Sequence, residues 1–245
     1  MELNQNIRTV ADRLLDLVYP RNCVGCRGVV SDLQSRYICA DCRNHIFRVQ
    51  SPYCNTCGYP FFGEVESERV CPHCAEMDPV FQAGRTVLLY RGVGLALIQE
   101  WKYHKALYLL DDIRSLIEQM PGLRAYVESA ILVPVPLHRR KLREREFNQS
   151  RILADLFAEA GGGLPVEELL QRVVDTESQT LLKLAARRRN VRNAFALSEN
   201  ALLRKDQTYI LVDDVFTSGS TLNACSAVLR KAGARSIKAL TLGHG

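Results

Sequence analysis

The sequence predicts an α/β chain in two parts: a small cysteine-stapled region, then a parallel sheet with helices on both faces. Three observations predict it. Eight of the nine cysteines fall in four C-x-x-C pairs before residue 75. From about Ala83 onward, short apolar runs alternate with segments of helical periodicity, the pattern of a parallel sheet. Close to residue 210 an apolar strand runs into two acids, a small polar loop containing glycine, and a helix.

Residues 5–18 carry Ile7, Val10, Leu14, Leu17 and Val18 at helical spacing, and Pro20 closes the segment, so residues 1–20 are expected to form an N-terminal helix. Residues 21–78 are poor in long apolar runs and rich in turn residues, and such a segment needs a staple. The staple is written in the pairs Cys23/Cys26, Cys39/Cys42, Cys54/Cys57 and Cys71/Cys74, with twelve, eleven and thirteen residues between successive pairs. A C-x-x-C turn sets two thiolates on one side of a tetrahedral Zn²⁺, and a pair about a dozen residues on closes it. Sequential and interleaved pairing both give two four-cysteine sites. Ligation by protein alone leaves no open position, so these zinc sites are expected to be structural. Redox motifs seldom come four in a row, which argues against thiol chemistry. His73 reads as a turn residue inside its pair, and Cys225 as a core residue on the inner face of a helix.

The boundary between the parts is expected near residues 76–84, with the second domain spanning residues 83–245. Residues 85–90 read as a buried strand, 94–103 and 107–119 as helices, and 130–135 as a strand. A helix over 147–159 ends at Gly161-Gly162-Gly163. Residues 169–174 read as a strand and 180–189 as a basic helix. A strand at 208–212, a helix at 219–232 with Gly233 just past its end, and a strand at 236–242 complete the pattern.

The segment from Tyr209 to Thr221 carries the most chemistry. Thr217, Ser218, Gly219, Ser220 and Thr221 offer backbone N–H groups and hydroxyls at a helix N-terminus, where unpaired N–H groups and the helix dipole favour an anion. Gly219 lets backbone approach a ligand closely. The loop lies beyond the carboxyl end of a strand, where open α/β sheets bind ligands. Asp213 and Asp214 stand beside it, and two acceptor-only carboxylates suit a vicinal diol, directly or through a divalent cation. A phosphate cradle beside a diol clamp describes ribose 5-phosphate. The loop lacks the G-K-[ST] ending of a nucleoside triphosphatase.

Two basic segments lie upstream. Ile131-Leu-Val-Pro-Val-Pro-Leu-His138 runs into Arg139, Arg140, Lys141, Arg143 and Arg145, then Glu146-Phe147-Asn148-Gln149. The second runs from Thr176-Glu-Ser-Gln179 through Arg187, Arg188, Arg189 and Arg192 to Phe195. The first reads as a cation cluster for pyrophosphate or a polyphosphate backbone, and the second either as a solvated helix face or as a further cluster of that kind.

The run Val212-Asp-Asp-Val-Phe-Thr-Ser-Gly-Ser-Thr221 resembles the 5-phosphoribosyl diphosphate (PRPP) signature of class I phosphoribosyltransferases. Together with V-P-V-P-L-H, F-N-Q, T-x-S-Q, the short Trp101-Lys102-Tyr103-His104 motif and the cysteine pairs, it is similar to the bacterial ComF family over most of the chain. The resemblance implies that residues 217–221 hold the 5-phosphate and that Asp213 and Asp214 hold the ribose hydroxyls. It also implies that Mg²⁺ accompanies PRPP, with Arg139, Arg140, Arg187, Arg188 and Arg189 contacting pyrophosphate. It implies a role in uptake of transforming DNA, either as a phosphoribosyltransferase or as a non-catalytic binder of single-stranded DNA, with partners among other competence proteins, a helicase-type one included. Lys102 and Tyr103 read as lining for an acceptor site or as packing. In one place the sequence departs from the family: Glu146 stands where Gly usually precedes F-N-Q.

The 245 residues suit one medium domain and one small one, and the net charge of +5 is modest. No stretch approaches the ~18 apolar residues of a membrane helix, and the N-terminus lacks a secretory cleavage pattern. A cytoplasmic protein without membrane insertion is expected, and in that compartment clustered cysteines read as metal ligands rather than disulfides.

Overall fold

The computed structural model describes residues 21–31, 34–63, 69–174 and 193–245. The helices expected over residues 1–20 and 180–189 lie outside them. Contacts divide the chain into two compact units, one holding the residues up to Ile46 with Arg91–Ser115, the other holding Phe47–Tyr90 with Leu116–Gly245. This division differs from a ribbon at 21–78 followed by a domain at 83–245, because each cysteine cluster packs into a different unit.

The first unit holds the first two cysteine pairs, the short helix α1 (Ala40–Asn44) and α3 (Gly92–His104). The carboxylate of Asp112 accepts the N–H groups of Arg36 and Tyr37, both at 2.8 Å. Burial comes first among the influences on that carboxyl and raises its pKa, while the two backbone donors oppose the rise. Trp101, Leu97 and Ile98 are fully buried, so the inward stripe of α3 carries the apolar residues.

The second unit is built on a four-stranded sheet in the order β1-β6-β5-β2, every pair parallel. Its strands are β1 (Ala83–Leu89), β2 (Ala130–Pro134), β5 (Thr208–Phe216) and β6 (Ser236–His244). All five residues of β2 are buried, and β5 and β6 are nearly so, the continuous apolar pattern of strands covered on both sides. The helix α7 (Gln149–Ala160) packs on β2 and β5, and α8 (Ser220–Lys231) on β5 and β6. Neither sheet edge is left open. Val49 N–H bonds Val87 O and Leu89 N–H bonds Phe47 O along β1. Along β2, Leu132 N–H bonds Pro165 O and Glu167 N–H bonds Leu132 O. Pairing of this kind removes the template for association that a bare edge presents.

Three further elements complete the unit: the helices α5 (Leu123–Val127) and α6 (Arg139–Arg145), and an antiparallel pair formed by β3 (Leu170–Arg172) and β4 (Phe195–Leu197). Two helices were expected over 94–103 and 107–119. The second is shorter: a single 3₁₀ turn over Leu107–Leu109 leads into α4 (Leu110–Glu118).

Candidate functional site

Four sulfurs meet in each of two clusters, Cys23, Cys26, Cys39 and Cys42 in the first unit and Cys54, Cys57, Cys71 and Cys74 in the second, with all ligand atoms of a cluster within 4.8 Å of one another. The pairs are therefore used in sequence, not interleaved. Cys26 Sγ to Cys39 Sγ and Cys57 Sγ to Cys71 Sγ are both 3.7 Å. A tetrahedron with Zn–S bonds of about 2.3 Å has edges of about 3.8 Å, so the sulfur spacing fits zinc. The two knuckles repeat one turn. Cys23 N–H bonds Gly28 O and Arg27 N–H bonds Cys23 O; Cys54 N–H bonds Tyr59 O and Gly58 N–H bonds Cys54 O. Left-handed backbone closes both, at Arg27 (φ 65) and Gly58 (φ 78). Backbone N–H groups point at the sulfurs as well, from Cys39 to Cys23 and from Cys71 to Cys54, each at 3.3 Å. Hydrogen bonds from Cys57 and then Cys74 hold the Cys54 thiol below its usual pKa, and its neighbours' sulfurs push Cys74 upward. His73 is outside the sulfur cluster, its ring edge-on to Phe216 at 6.4 Å.

In the second unit, β5 continues through both acids instead of ending at residue 212, because β6 pairs with it as far as Phe216 and His244. Asp213 is half-buried and Asp214 buried. Asp213 Oδ1 accepts from Ser150 Oγ at 3.0 Å and from Asp214 N–H at 2.9 Å. Its orientation is thereby set from α7. Asn148 caps that helix through the Ser150 N–H at 3.1 Å, and its Nδ2 donates to Val135 O at 3.0 Å. Val135 N–H in turn bonds Val212 O at 2.9 Å. Residues Asn148 and Ser150 thus clamp the Pro-Val-Pro turn, β5 and Asp213 together.

The loop after β5 turns at Gly219, which takes φ +66 as the cap of α8. A Cβ there would stand 2.5 Å from Met77 Sδ and 2.7 Å from the Phe216 ring. Glycine is required by both the backbone and the space. Ser218 and Ser220 are buried, with their hydroxyls 2.9 Å apart. One donates to the other, so the pair keeps one O–H for a ligand. Thr217 is exposed and Thr221 half-buried. The first-turn N–H groups of α8 lack intrahelical acceptors and aim at this loop. Cys225 lies beneath the site, fully buried; burial first, then the charge of Asp213, raises its pKa well above the ordinary thiol value. That thiol is inert core.

Of the arginines predicted for pyrophosphate, Arg139 and Arg140 stand exposed on α6, which leaves the sheet at the same edge as the loop. Arg140 Nε bonds Glu144 at 3.1 Å. Arg187, Arg188, Arg189, Arg192 and the Thr176–Gln179 motif lie outside the described residues. Lys102 and Tyr103 lie on α3 in the first unit, half-buried and exposed respectively. Glu146 keeps the turn before F-N-Q by adopting φ +71, the conformation glycine would supply. A cavity of about 1030 Å³ opens beside α6 and α7, lined by residues including Pro136, Arg139, Phe147, Arg151 and Leu202; residues 213–221 do not line it.

Arg172 was not foreseen. Its guanidinium lies 5.4 Å from the Phe195 ring, and its charge, like that of Asp213, reaches the Cys225 thiol. Only a strand-end cation signalled it in the sequence. The role of Ser150 was equally invisible, since it depends on α7 meeting β5.

Two four-sulfur knuckles and a parallel sheet ending in an acid pair and a glycine-turned anion loop define a double zinc ribbon joined to a phosphoribosyl transferase domain. Residues 14–75 match the double zinc ribbon domain family and residues 159–243 the phosphoribosyl transferase domain family. The chain is 26% identical over 220 residues to Competence protein F of Haemophilus influenzae, covering 88% of this chain and 93% of that protein. It is 28% identical over 206 residues to DNA utilization protein YhgH of Escherichia coli, covering 82% and 87%. It is 24% identical over 217 residues to Competence protein ComFC of Bacillus subtilis, covering 84% and 83%. These matches bear out the resemblance to the ComF family over most of the chain. A purine phosphoribosyltransferase of Pyrococcus horikoshii superposes with a TM-score of 0.36 at 16% identity, over 57% of this chain and 85% of that one. Among the described residues no helix is long and apolar enough to cross a membrane.

Proposed function

We propose that the second unit binds PRPP with Mg²⁺ and transfers its phosphoribosyl group to an acceptor, in the service of DNA uptake. One observation carries the reading: an acid pair, Asp213 half-buried and Asp214 buried, leads into an anion loop whose glycine sits at φ +66 on the N-terminus of α8, at the carboxyl edge of a parallel sheet. The loop at 217–221 would hold the 5-phosphate. Asp214 and the Ser150-oriented Asp213 would hold the ribose hydroxyls, with Mg²⁺ supplying charge to the leaving pyrophosphate when bound. Arg139, Arg140, Arg187, Arg188 and Arg189 would stabilise that pyrophosphate, and excluding water is the remaining task of the protein. In the reaction the bond from the anomeric carbon to pyrophosphate breaks and a bond from that carbon to the acceptor forms. The setting in DNA uptake rests on relatives named for competence and DNA utilization, and it carries partners among other competence proteins and a cytoplasmic location. Pyrophosphate release from PRPP across a panel of acceptors, single-stranded DNA included, tests the transfer. Release above the rate of an Asp213→Ala/Asp214→Ala double variant is expected, and equal rates contradict it.

A second reading, direct binding of single-stranded DNA without catalysis, is favoured by the first unit. Tyr37 and Tyr108 lie ring to ring at 4.4 Å, and Tyr103 and Tyr108 are about half exposed. Arg27 and Tyr108 both bond Glu100, one helical turn from Tyr103. Exposed aromatic rings among cations suit stacked bases on a charged backbone. Affinity for oligothymidine that falls steeply with salt, and falls further on Tyr108→Ala, supports this reading; salt-independent binding contradicts it.

A further inference from the structure

The second four-cysteine cluster is built into the core of the second unit. Cys54, Cys57, Cys71 and Cys74 belong to one cluster of buried side chains with Met77, Phe81, Phe216, Leu222 and Cys225. The knuckle also lies tightly on the sheet: a Cβ on Gly84 of β1 would stand 2.5 Å from Thr56 O and 3.0 Å from Cys57 Cα. From Cys71 the chain enters α2 (Pro72–Met77), which carries Cys74 and, one turn later, Met77. Two contacts then join this segment to the anion loop. Met77 Sδ fills the space against Gly219, and Val80 N–H bonds Asn223 Oδ1 in the first turn of α8 at 2.7 Å. Phe216, the residue before the loop, is held from three sides, edge-on by His73 at 6.4 Å and Phe81 at 6.3 Å, and stacked by His244 at 4.6 Å.

A helix of six residues has no independent stability, since isolated helices below about 12 residues are marginal in water. Left-handed caps pin its exit, Asp78 adopting φ 50. What remains to fix it is the sulfur cluster at its start and the packing at its end. Metal binding to such a segment is folding free energy. The position of Met77 therefore depends on the metal, and the position of the loop depends on Met77.

We propose that the second zinc centre is a positioning element of the anion loop, acting through Met77 and Phe216, so that affinity for a ribose phosphate responds to the state of Cys54, Cys57, Cys71 and Cys74. This rests on the reading of residues 217–221 as a phosphate-binding loop. It gives the second knuckle a role beyond holding its own fold, and it makes ligand binding sensitive to chelation or oxidation at those thiols.

The full zinc-loaded chain is titrated with ribose 5-phosphate by calorimetry, as wild type, Met77→Leu and Met77→Ala. Met77→Leu conserves volume and stays within about threefold of wild type. Met77→Ala opens a cavity under the loop and loses about tenfold or more while zinc content is unchanged. A cadmium-113 form supplies a readout that a merely structural role would not move. The resonance of the second centre, assigned by its change in Cys57→Ser, shifts when ribose 5-phosphate is added, and Met77→Ala abolishes the shift. Should Met77→Ala fail to fold, the cadmium shift in wild type decides alone. Wild-type binding with an unmoved second-centre resonance, or Met77→Ala binding as tightly as wild type with its zinc retained, overturns the proposal. Absence of binding by wild type itself overturns the phosphate-loop reading and the inference with it.

Discussion

His244→Phe tests the floor beneath the loop. His244 is buried and stacks on Phe216 at 4.6 Å, and among the described residues its Nε2 has no partner. Burial holds its pKa down, from 6.5 to about 4. The folded value lies below the unfolded one, so as pH falls the unfolded chain takes up a proton first and stability declines through the window between the two values. Integrated from pH 7 to pH 5, that single group removes about 2 kcal/mol. Phenylalanine keeps the stack and has no proton to gain. The variant is expected to match or exceed wild type at pH 7 and to lose about 2 kcal/mol less on going to pH 5. The assay is urea unfolding of zinc-loaded protein, followed by circular dichroism at stepped pH, with metal analysis to restrict the comparison to points where both proteins keep their zinc. Parallel decline of the two proteins would show that His244 is not a buried neutral imidazole, and the packing described around Phe216 would fall with it.

Three further outcomes follow from the geometry. Ser150→Ala removes a hydrogen bond to the Asp213 carboxylate and should weaken PRPP binding about tenfold or more, measured by calorimetry, with little change in zinc content. Glu146→Gly relieves a left-handed residue at φ +71, less the extra chain entropy of glycine, and should stabilise the fold by up to about 1 kcal/mol in urea unfolding; a clear loss would contradict the turn. Because neighbouring sulfurs push the Cys57 and Cys74 thiols upward, zinc uptake must release protons, and apparent zinc affinity should fall as pH is lowered from 8 to 6 in a competition assay with a colorimetric chelator.

The anion loop was legible because its chemistry is local: a strand, two acids, a glycine and a helix within one short segment. The extent of β5 was not. Asp is depleted in strands, and only pairing with β6 and burial of Phe216 carry the strand past Asp213 and Asp214. Helix α6 was hidden in a charge run, since its one aliphatic residue, Leu142, is 40% exposed and leaves no inward stripe to detect. The strand β4 spans three residues, too few for a period. The cysteine spacing announced both metal centres but could not say that they belong to different units. That partition rests on contacts such as Met77 against Gly219, between residues far apart in the chain. Glu146 marks the converse case, where the family pattern asked for glycine and the structure supplies the same backbone with a glutamate.

The most direct measurement is the melting temperature of the zinc-loaded chain with and without PRPP and Mg²⁺, for wild type and for Asp213→Ala/Asp214→Ala. PRPP at about a hundred times its Kd should stabilise wild type by about 2.7 kcal/mol, a rise of roughly 5–11 °C for a domain of this size, and should leave the double variant unmoved. A wild-type melting temperature that saturating PRPP does not change would contradict the phosphoribosyl pocket at the end of β5.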